Sequence, residues 1–195
     1  MGVFHVGEVV DVHLAAFQGF TLSILGARFL KEFYKGVLHD PTGIAFVIAD
    51  QQDLVGFVAG STQPNGFYRR LLVRKWWRFG FAALPAVLSN PRLLPRILRA
   101  LSMPNEPLPH PNCATLMSIA VNPALQSQGA GKRLVSAFLE EAATRGLEAV
   151  SLKTDAEGNE KVNQFYINSG FELFRTFSTP EGRLMNEYVF YLGNY

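Results

Sequence analysis

Ser118-Ile119-Ala120-Val121-Asn122-Pro123-Ala124-Leu125-Gln126-Ser127-Gln128-Gly129-Ala130-Gly131-Lys132 decides the reading of this chain. The apolar run from Ala114 to Val121 predicts a buried strand, ended by Asn122-Pro123. Gly129 to Arg145 predicts a helix whose inward stripe is Leu134, Val135, Phe138, Leu139 and Ala142, capped by Gly146. The first amides of such a helix lack internal partners, and with the helix dipole they form an anion site. Gly129 and Gly131 let the backbone approach a phosphate because no Cβ intervenes. The glycine spacing is not that of a P-loop or of the dinucleotide fingerprint. On the loop alone, an ordinary strand–helix turn with glycines for tight packing fits equally well.

Outward from the loop, Ala149 to Thr154 predicts a second strand. Strand, helix and strand make a βαβ unit with parallel pairing and a right-handed crossover. Asn159 to Ser169 predicts a short helix ended by Gly170. Phe171 to Thr176 and Met185 to Leu192 predict strands joined by a polar turn around Pro180-Glu181-Gly182. Upstream, residues 5–38 predict two helices broken near Gly19. Ile44 to Ala49 and Leu54 to Ser61 predict a hairpin turned at Gln51-Gln52-Asp53, with Gly56 and Gly60 marking bulges or close backbone approach. Between the halves, 65–111 reads as a helical insert. Tyr68–Gly80, Phe81–Leu88 and Pro91–Leu101 predict short basic amphipathic helices interrupted by Pro85, Pro91 and Pro95, and Pro104 to Pro111 predicts a stiff connector.

With 195 residues the chain suits one domain over 1–195, and 48% hydrophobic against 17% charged residues excludes a disordered composition. No apolar run is long enough for a membrane-spanning helix, and no signal-peptide pattern opens the sequence, so a cytoplasmic location is expected. The single cysteine, Cys113, excludes an internal disulfide, and the four histidines have no ligand spacing, so no metal is expected. The net charge of +2 is unevenly spread. No Asp or Glu lies between Asp53 and Glu106, where Arg69, Arg70, Arg74, Lys75, Arg78, Arg92, Arg96 and Arg99 stand. The positive charge belongs to the insert.

The loop pairs with a second motif, Asn159-Glu160-Lys161-Val162-Asn163-Gln164-Phe165-Tyr166-Ile167-Asn168-Ser169-Gly170-Phe171. Together they resemble the GNAT superfamily of N-acetyltransferases. Gln126, Gly129 and Gly131 match its Gln/Arg-x-x-Gly-x-Gly/Ala loop. Asn159, Phe165, Tyr166, Gly170 and Phe171 match its second pattern, with Val162 in place of the usual Ala. The resemblance covers 114–176 well and 43–62 in outline. It implies an α+β fold: a splayed mixed β-sheet flanked by helices, with the helical insert before the central strand and a short or absent first strand.

The resemblance also implies roles. The loop amides of Gln126, Ser127, Gln128, Gly129, Ala130 and Gly131, with Lys132 nearby, would hold the pyrophosphate of acetyl-coenzyme A. Backbone groups of Ile119 and Val121 would pair with pantetheine, and an N–H near Ala120 would polarise the acetyl oxygen. Asn159 would contact the cofactor arm or cap its helix. Tyr166 would be the general acid, or would only pack beside Phe165. No carboxylate occurs on Ala114–Val121, so the general base is open: Ser118 through water, His110, Cys113, solvent, or an acceptor of low pKa. The insert would cover the acceptor side, where Arg69 and Arg70 would attract an anionic amine such as a nucleotide-linked amino sugar. Its plainer reading is a solvated helical face with Trp76, Trp77 and Phe79 in the core. The expected activity is direct acetyl transfer to a primary amine, preferably on a small molecule. A protein acetyltransferase, a non-catalytic acyl-coenzyme A module, and an RNA-binding or anionic membrane-binding segment are the alternatives, with nucleic acid not expected. A homodimer is left open.

Overall fold

A computed structural model of the chain describes residues 1–18, 20–50, 53–74, 76–91, 107–125, 129–180 and 182–194. Its six strands are Gly43–Asp50 (β1), Asp53–Ser61 (β2), Cys113–Val121 (β3), Ala149–Asp155 (β4), Glu172–Ser178 (β5) and Leu184–Tyr191 (β6). They form one sheet in the order β1-β2-β3-β4-β6-β5. Only β3 and β4 pair in parallel; the other neighbours are antiparallel. The helices are Val6–Ala16 (α1), Thr21–Ile24 (α2), Gly26–His39 (α3), Phe67–Arg74 (α4), Trp76–Ser89 (α5), Ala130–Thr144 (α6) and Glu160–Asn168 (α7). Among the described residues no strand precedes β1, which forms a sheet edge, so the expected first strand is absent.

Two apolar clusters explain why the sheet is covered on both faces. On one side Val9, Val10, Leu30, Phe33 and Val37 of α1 and α3 pack with Phe57, Ala59, Phe67, Leu71 and Phe79. On the other, Leu134, Val135, Phe138, Leu139 and Ala142 of α6 meet Ile44, Val58, Leu116, Val150 and Leu152. The α6 set is the stripe read from sequence, and burial of such a stripe is the main force holding an amphipathic helix to a sheet. Gly146 adopts φ +75° just past α6, and its amide donates to the Ala143 carbonyl, closing the helix as expected.

The insert differs from its prediction. Helix covers Phe67–Arg74 and Trp76–Ser89, with Lys75 outside the described residues, so no break follows Gly80 and α5 continues through Pro85 to Ser89. Proline costs a helix one amide donor and crowds the carbonyl four residues earlier. Pro85 is exposed, on the outer side of α5, so the affected carbonyl lies where water can serve it. Phe79 is buried as expected, but Trp76 and Trp77 are 73% and 54% exposed and are not core. The expected third helix past Pro91, and the first three residues of the proline-rich connector, fall on residues 92–106, outside the described residues.

Glycines at β2 allow close packing against β3 and α6. A Cβ on Gly60 would sit 2.2 Å from the Thr115 carbonyl oxygen and 2.7 Å from the Phe138 ring. Gly60→Ala should therefore force β2 away from β3 and α6, lowering stability by about 3 kcal/mol in a denaturant titration. A variant unfolding at the wild-type midpoint would show that this contact relaxes freely.

Candidate functional site

The parallel pair is short. Cys113 to Leu116 face Ala149 to Leu152, and beyond Leu116 the two strands do not pair with each other. Each stays bound to its outer neighbour: β3 to β2 as far as Val121 opposite Gly56, β4 to β6 as far as Asp155 opposite Met185. A wedge therefore opens between Met117–Val121 and Lys153–Asp155. Its cause is local. Ala59 faces Ser118 and Gly60 faces Leu116, so Met117 is an extra residue on β3. Such a bulge bends and twists its strand and reverses the alternation of side chains. Leu116 and Ile119 accordingly pack toward the same cluster, while Ala120 belongs to the opposite one.

The start of α6 follows β3 through the loop. Gly129 takes φ +83° at the N-cap, and no side chain caps the helix. The first internal bond is from the Arg133 amide to the Gly129 carbonyl, at 3.0 Å. The amides before it have no partner within the helix, as the reading of an anion site requires. A Cβ on Gly129 would meet open space, whereas one on Gly131 would lie 3.2 Å from the Phe165 ring. The first glycine serves the left-handed turn, and the second the approach of α6 to α7. Gln126, Ser127 and Gln128 lie outside the described residues.

The end of β4 is tied to α7 by amide side chains. Asn159 stands at the N-cap position but makes no side-chain cap bond. Its Nδ2 instead donates to Thr154 Oγ1 at 2.7 Å and to the Asp155 carbonyl at 3.3 Å. Asn163, buried on α7, donates to the carbonyls of Asp155 and Asn159, both at 2.9 Å. Its Oδ1 accepts from Asn186 Nδ2 and from the Tyr188 hydroxyl. This side chain, not singled out from sequence, fixes the rim of the wedge. Tyr166 is 6% exposed and packs edge-on against Phe165 and Phe171. It joins the cluster holding Leu116, Leu134 and Leu152, and burial pushes its phenol up to about 12.

The polar groups considered for proton removal separate clearly. Cys113 is the first residue of β3, about 25 Å along the strand from Val121, and burial raises its thiol pKa. His110 lies just before it, with Nε2 3.3 Å from Glu148. Neither is at the wedge. Ser118 is there, and it is buried. Its hydroxyl hydrogen-bonds the phenol of Tyr34, which is fully buried on α3 and lies 2.7 Å from Nδ1 of His13 on α1. This three-residue network was not legible in the sequence. Burial drops the His13 pKa to about 4, and its Nε2 has no hydrogen-bond partner. The insert arginines also differ from each other. Arg69 is exposed on α4. Arg70 donates to the carbonyls of Asn65 and Gln63 and to Thr42 Oγ1, which holds the start of α4 to the β1 turn. Among the described residues no cluster of His, Cys, Asp and Glu is placed to hold a metal ion.

Two stability predictions follow from these buried groups. Neutral His13 is favoured in the fold, so its contribution is present above pH 6.5, the ordinary imidazole value, and is lost as pH falls toward about 4. Thermal midpoints should decline across that window, and His13→Phe should flatten the decline; identical pH profiles would mean His13 titrates normally. Asn163→Leu should take the acceptor from the Tyr188 hydroxyl and from Asn186 Nδ2, leave the Asp155 carbonyl only the longer bond from Asn159, and cost about 2–3 kcal/mol in a denaturant titration.

Comparison with known proteins places this geometry. The model of the acetyltransferase (GNAT) family matches residues 98–171, which span β3, the loop, α6, β4 and the Asn159–Phe171 motif. No curated protein matches the sequence. Solved structures do match in fold. The ribosomal-protein-S18-alanine N-acetyltransferase of Escherichia coli has a TM-score of 0.59 at 15% identity, over 98% of this chain and 90% of that one. An aminoglycoside 6′-N-acetyltransferase complexed with coenzyme A has a TM-score of 0.58 at 15% identity, over 95% and 89%. The spermidine/spermine N-acetyltransferase SpeG of Vibrio cholerae, in complex with manganese ions, has a TM-score of 0.58 at 15% identity, over 100% and 91%. The family match runs through the wedge, the glycine loop and the tyrosine helix, so residues 98–171 match the acetyltransferase (GNAT) family, and the chain as a whole shares the fold of these N-acetyltransferases.

Proposed function

We propose that the chain transfers an acetyl group from acetyl-coenzyme A to the primary amine of a small molecule by direct attack. The observation that carries this reading is the wedge between β3 and β4, opening at Met117 in front of the uncapped start of α6. When bound, acetyl-coenzyme A supplies the activated acetyl carbonyl. Its fit rests on three features: strand groups of Met117–Val121 not paired with β4, open space above Gly129, and first-turn amides of α6 that have no partner within the helix.

In this reading the amides from Gln126 to Gly131 and the Lys132 ammonium bind the pyrophosphate. The backbone of Ile119 and Val121 pairs with the pantetheine arm as an added strand. A backbone N–H near Ala120 holds the carbonyl oxygen as charge develops on it. Asn159 fixes the end of β4 beside that arm through Thr154. Tyr166 keeps its proton at neutral pH and delivers it to the departing sulfur. Its raised pKa does not bar the step, because desolvation in the same wedge also raises the proton affinity of the thiolate. Ser118 lies at the acceptor side of β3, and Arg69 is the insert arginine open to an anionic acceptor; Arg70 serves chiefly to anchor α4.

The structural neighbours carry names that include a ribosomal-protein alanine, an aminoglycoside and polyamines, so the shared fold leaves the acceptor amine unassigned. A small acceptor is favoured because α4 and α5 add cover before β3. A non-catalytic acyl-coenzyme A module has one observation in its favour, the lack of a carboxylate on β3. A screen of amines with acetyl-coenzyme A separates the readings. Tyr166→Phe should lower turnover by about 10²–10⁴ while leaving cofactor affinity nearly unchanged. Gly131→Glu should abolish cofactor binding in calorimetry, since it drives a carboxylate against Phe165 and into the anion site. Wild-type affinity in that variant, or wild-type turnover in Tyr166→Phe where chemistry limits the rate, would sink the assignments.

A further inference from the structure

Helix α5 is apolar on two faces, and among the described residues only one is covered. Phe79 and Ala83 are buried, with the Phe79 ring 5.2 Å from that of Phe29 on α3. On the outer face Trp77, Phe81, Leu84 and Leu88 repeat at helical spacing and are 54%, 71%, 48% and 73% exposed. Trp76 at the start of α5 and Val73 near the end of α4 are also exposed, at 73% and 66%. A helix apolar all round is ordinarily buried, and a contiguous exposed patch of this kind marks an interaction surface.

The charge beside the stripe identifies the partner. A cleft of about 340 Å³ runs between α3 and α5, lined by Arg28, Lys31, Lys35 and Arg78 together with Trp77, Phe81 and Ala82. Glu32 is the single acid in its wall and is already engaged, 3.2 Å from Arg78 and 3.6 Å from Lys35. The cleft therefore keeps an excess of positive charge next to exposed indole and phenyl rings. The sequence around it, from Leu54 to Asn105, contains no acid. We propose that the outer face of α5, with the basic cleft against α3, docks the protein on an anionic lipid bilayer. The arrangement suits a membrane interface: tryptophans at one end of the helix, aliphatic and phenyl side chains along it, and cations at headgroup level. Among the described residues no helix is long and apolar enough to cross a membrane, so α5, with 14 residues, would lie in the interface plane. Leu84 and Leu88 offer no stacking face to a base, which favours lipid over nucleic acid.

Trp76 and Trp77 are the only tryptophans in the chain, so intrinsic emission reports this face directly. Mixed phosphatidylglycerol and phosphatidylcholine vesicles should shift the emission to the blue, and phosphatidylcholine alone should shift it little. Brominated acyl chains should quench it. Phe81→Ser with Leu88→Ser keeps both tryptophans and should weaken vesicle affinity about tenfold or more. Arg28→Gln with Lys31→Gln should weaken it too and reduce its salt dependence. Both double variants should unfold at the wild-type temperature and bind acetyl-coenzyme A as before, which separates this proposal from the catalytic one. The proposal is overturned if anionic vesicles leave the emission unchanged, or if Phe81→Ser with Leu88→Ser binds them normally. It is equally overturned if polyuridylate shifts the emission as strongly as vesicles do. Sedimentation showing a wild-type dimer that the Phe81 and Leu88 variant dissociates, without vesicle binding, would assign the face to a second copy of the chain instead.

Discussion

The residue that the rest of the site depends on is Met117, the extra residue of β3. Without it, the alternation of β3 would continue and the strand could stay in register with β4 beyond Leu116 and Leu152. With it, Leu116 and Ile119 both turn toward α6, and Ser118 and Ala120 turn toward the N-terminal helices. The strand bends away while remaining bonded to β2, and unpaired edge groups face the gap. An edge of this kind is ordinarily a liability that proteins cover. Here it lies inside the sheet, flanked by paired strands, where only an extended ligand of the right width can add to it.

Much of this was legible before the structure. The strand, glycine loop and helix from Ala114 to Arg145 announced themselves through apolar patterning and punctuation, which are local signals. Gly56 and Gly60 were correctly read as points of close approach, because glycine within a strand has few other uses. The bulge at Met117 was not readable, although Gly60 stands opposite it: a methionine on a bulge looks like a methionine in a strand. Helix α5 runs through both Gly80 and Pro85, where the sequence predicts a break and an interruption. An exposed proline can stay within a helix whose other face is held by Phe79 and Ala83 against α3.

The site divides along the same line. Gly129 carries a positive φ that only its residue type foreshadowed, and Tyr166 lies in the buried cluster beside Phe165. The buried polar partners had no local signature. His13, Tyr34 and Ser118 come from α1, α3 and β3 and meet only in three dimensions. Asn163 sits inside the tyrosine motif, yet its spacing says nothing of the Tyr188 and Asn186 groups that reach it from β6. Surface arginines mislead in the opposite way. Arg69 and Arg70 are adjacent and chemically identical, but one is exposed and the other is held by backbone carbonyls.

The network at Ser118 constrains how an amine could lose its proton in the proposed reaction. An alkylammonium has a pKa of about 10. His13 is held near 4 by burial, so moving the proton through Ser118 and Tyr34 onto its imidazole would climb about 8 kcal/mol. Tyr34 cannot take up the role as a phenolate, because burial pushes its pKa far up and keeps it neutral. The three groups therefore act as neutral dipoles. They fix the rotamer of the Ser118 hydroxyl at the point where β3 leaves β4, and they do not store charge. In the proposed reaction a proton released at the acceptor nitrogen then leaves by water, unless the acceptor is an amine of low pKa. That route needs no carboxylate on β3, and the strand that forms the wall of the site has none.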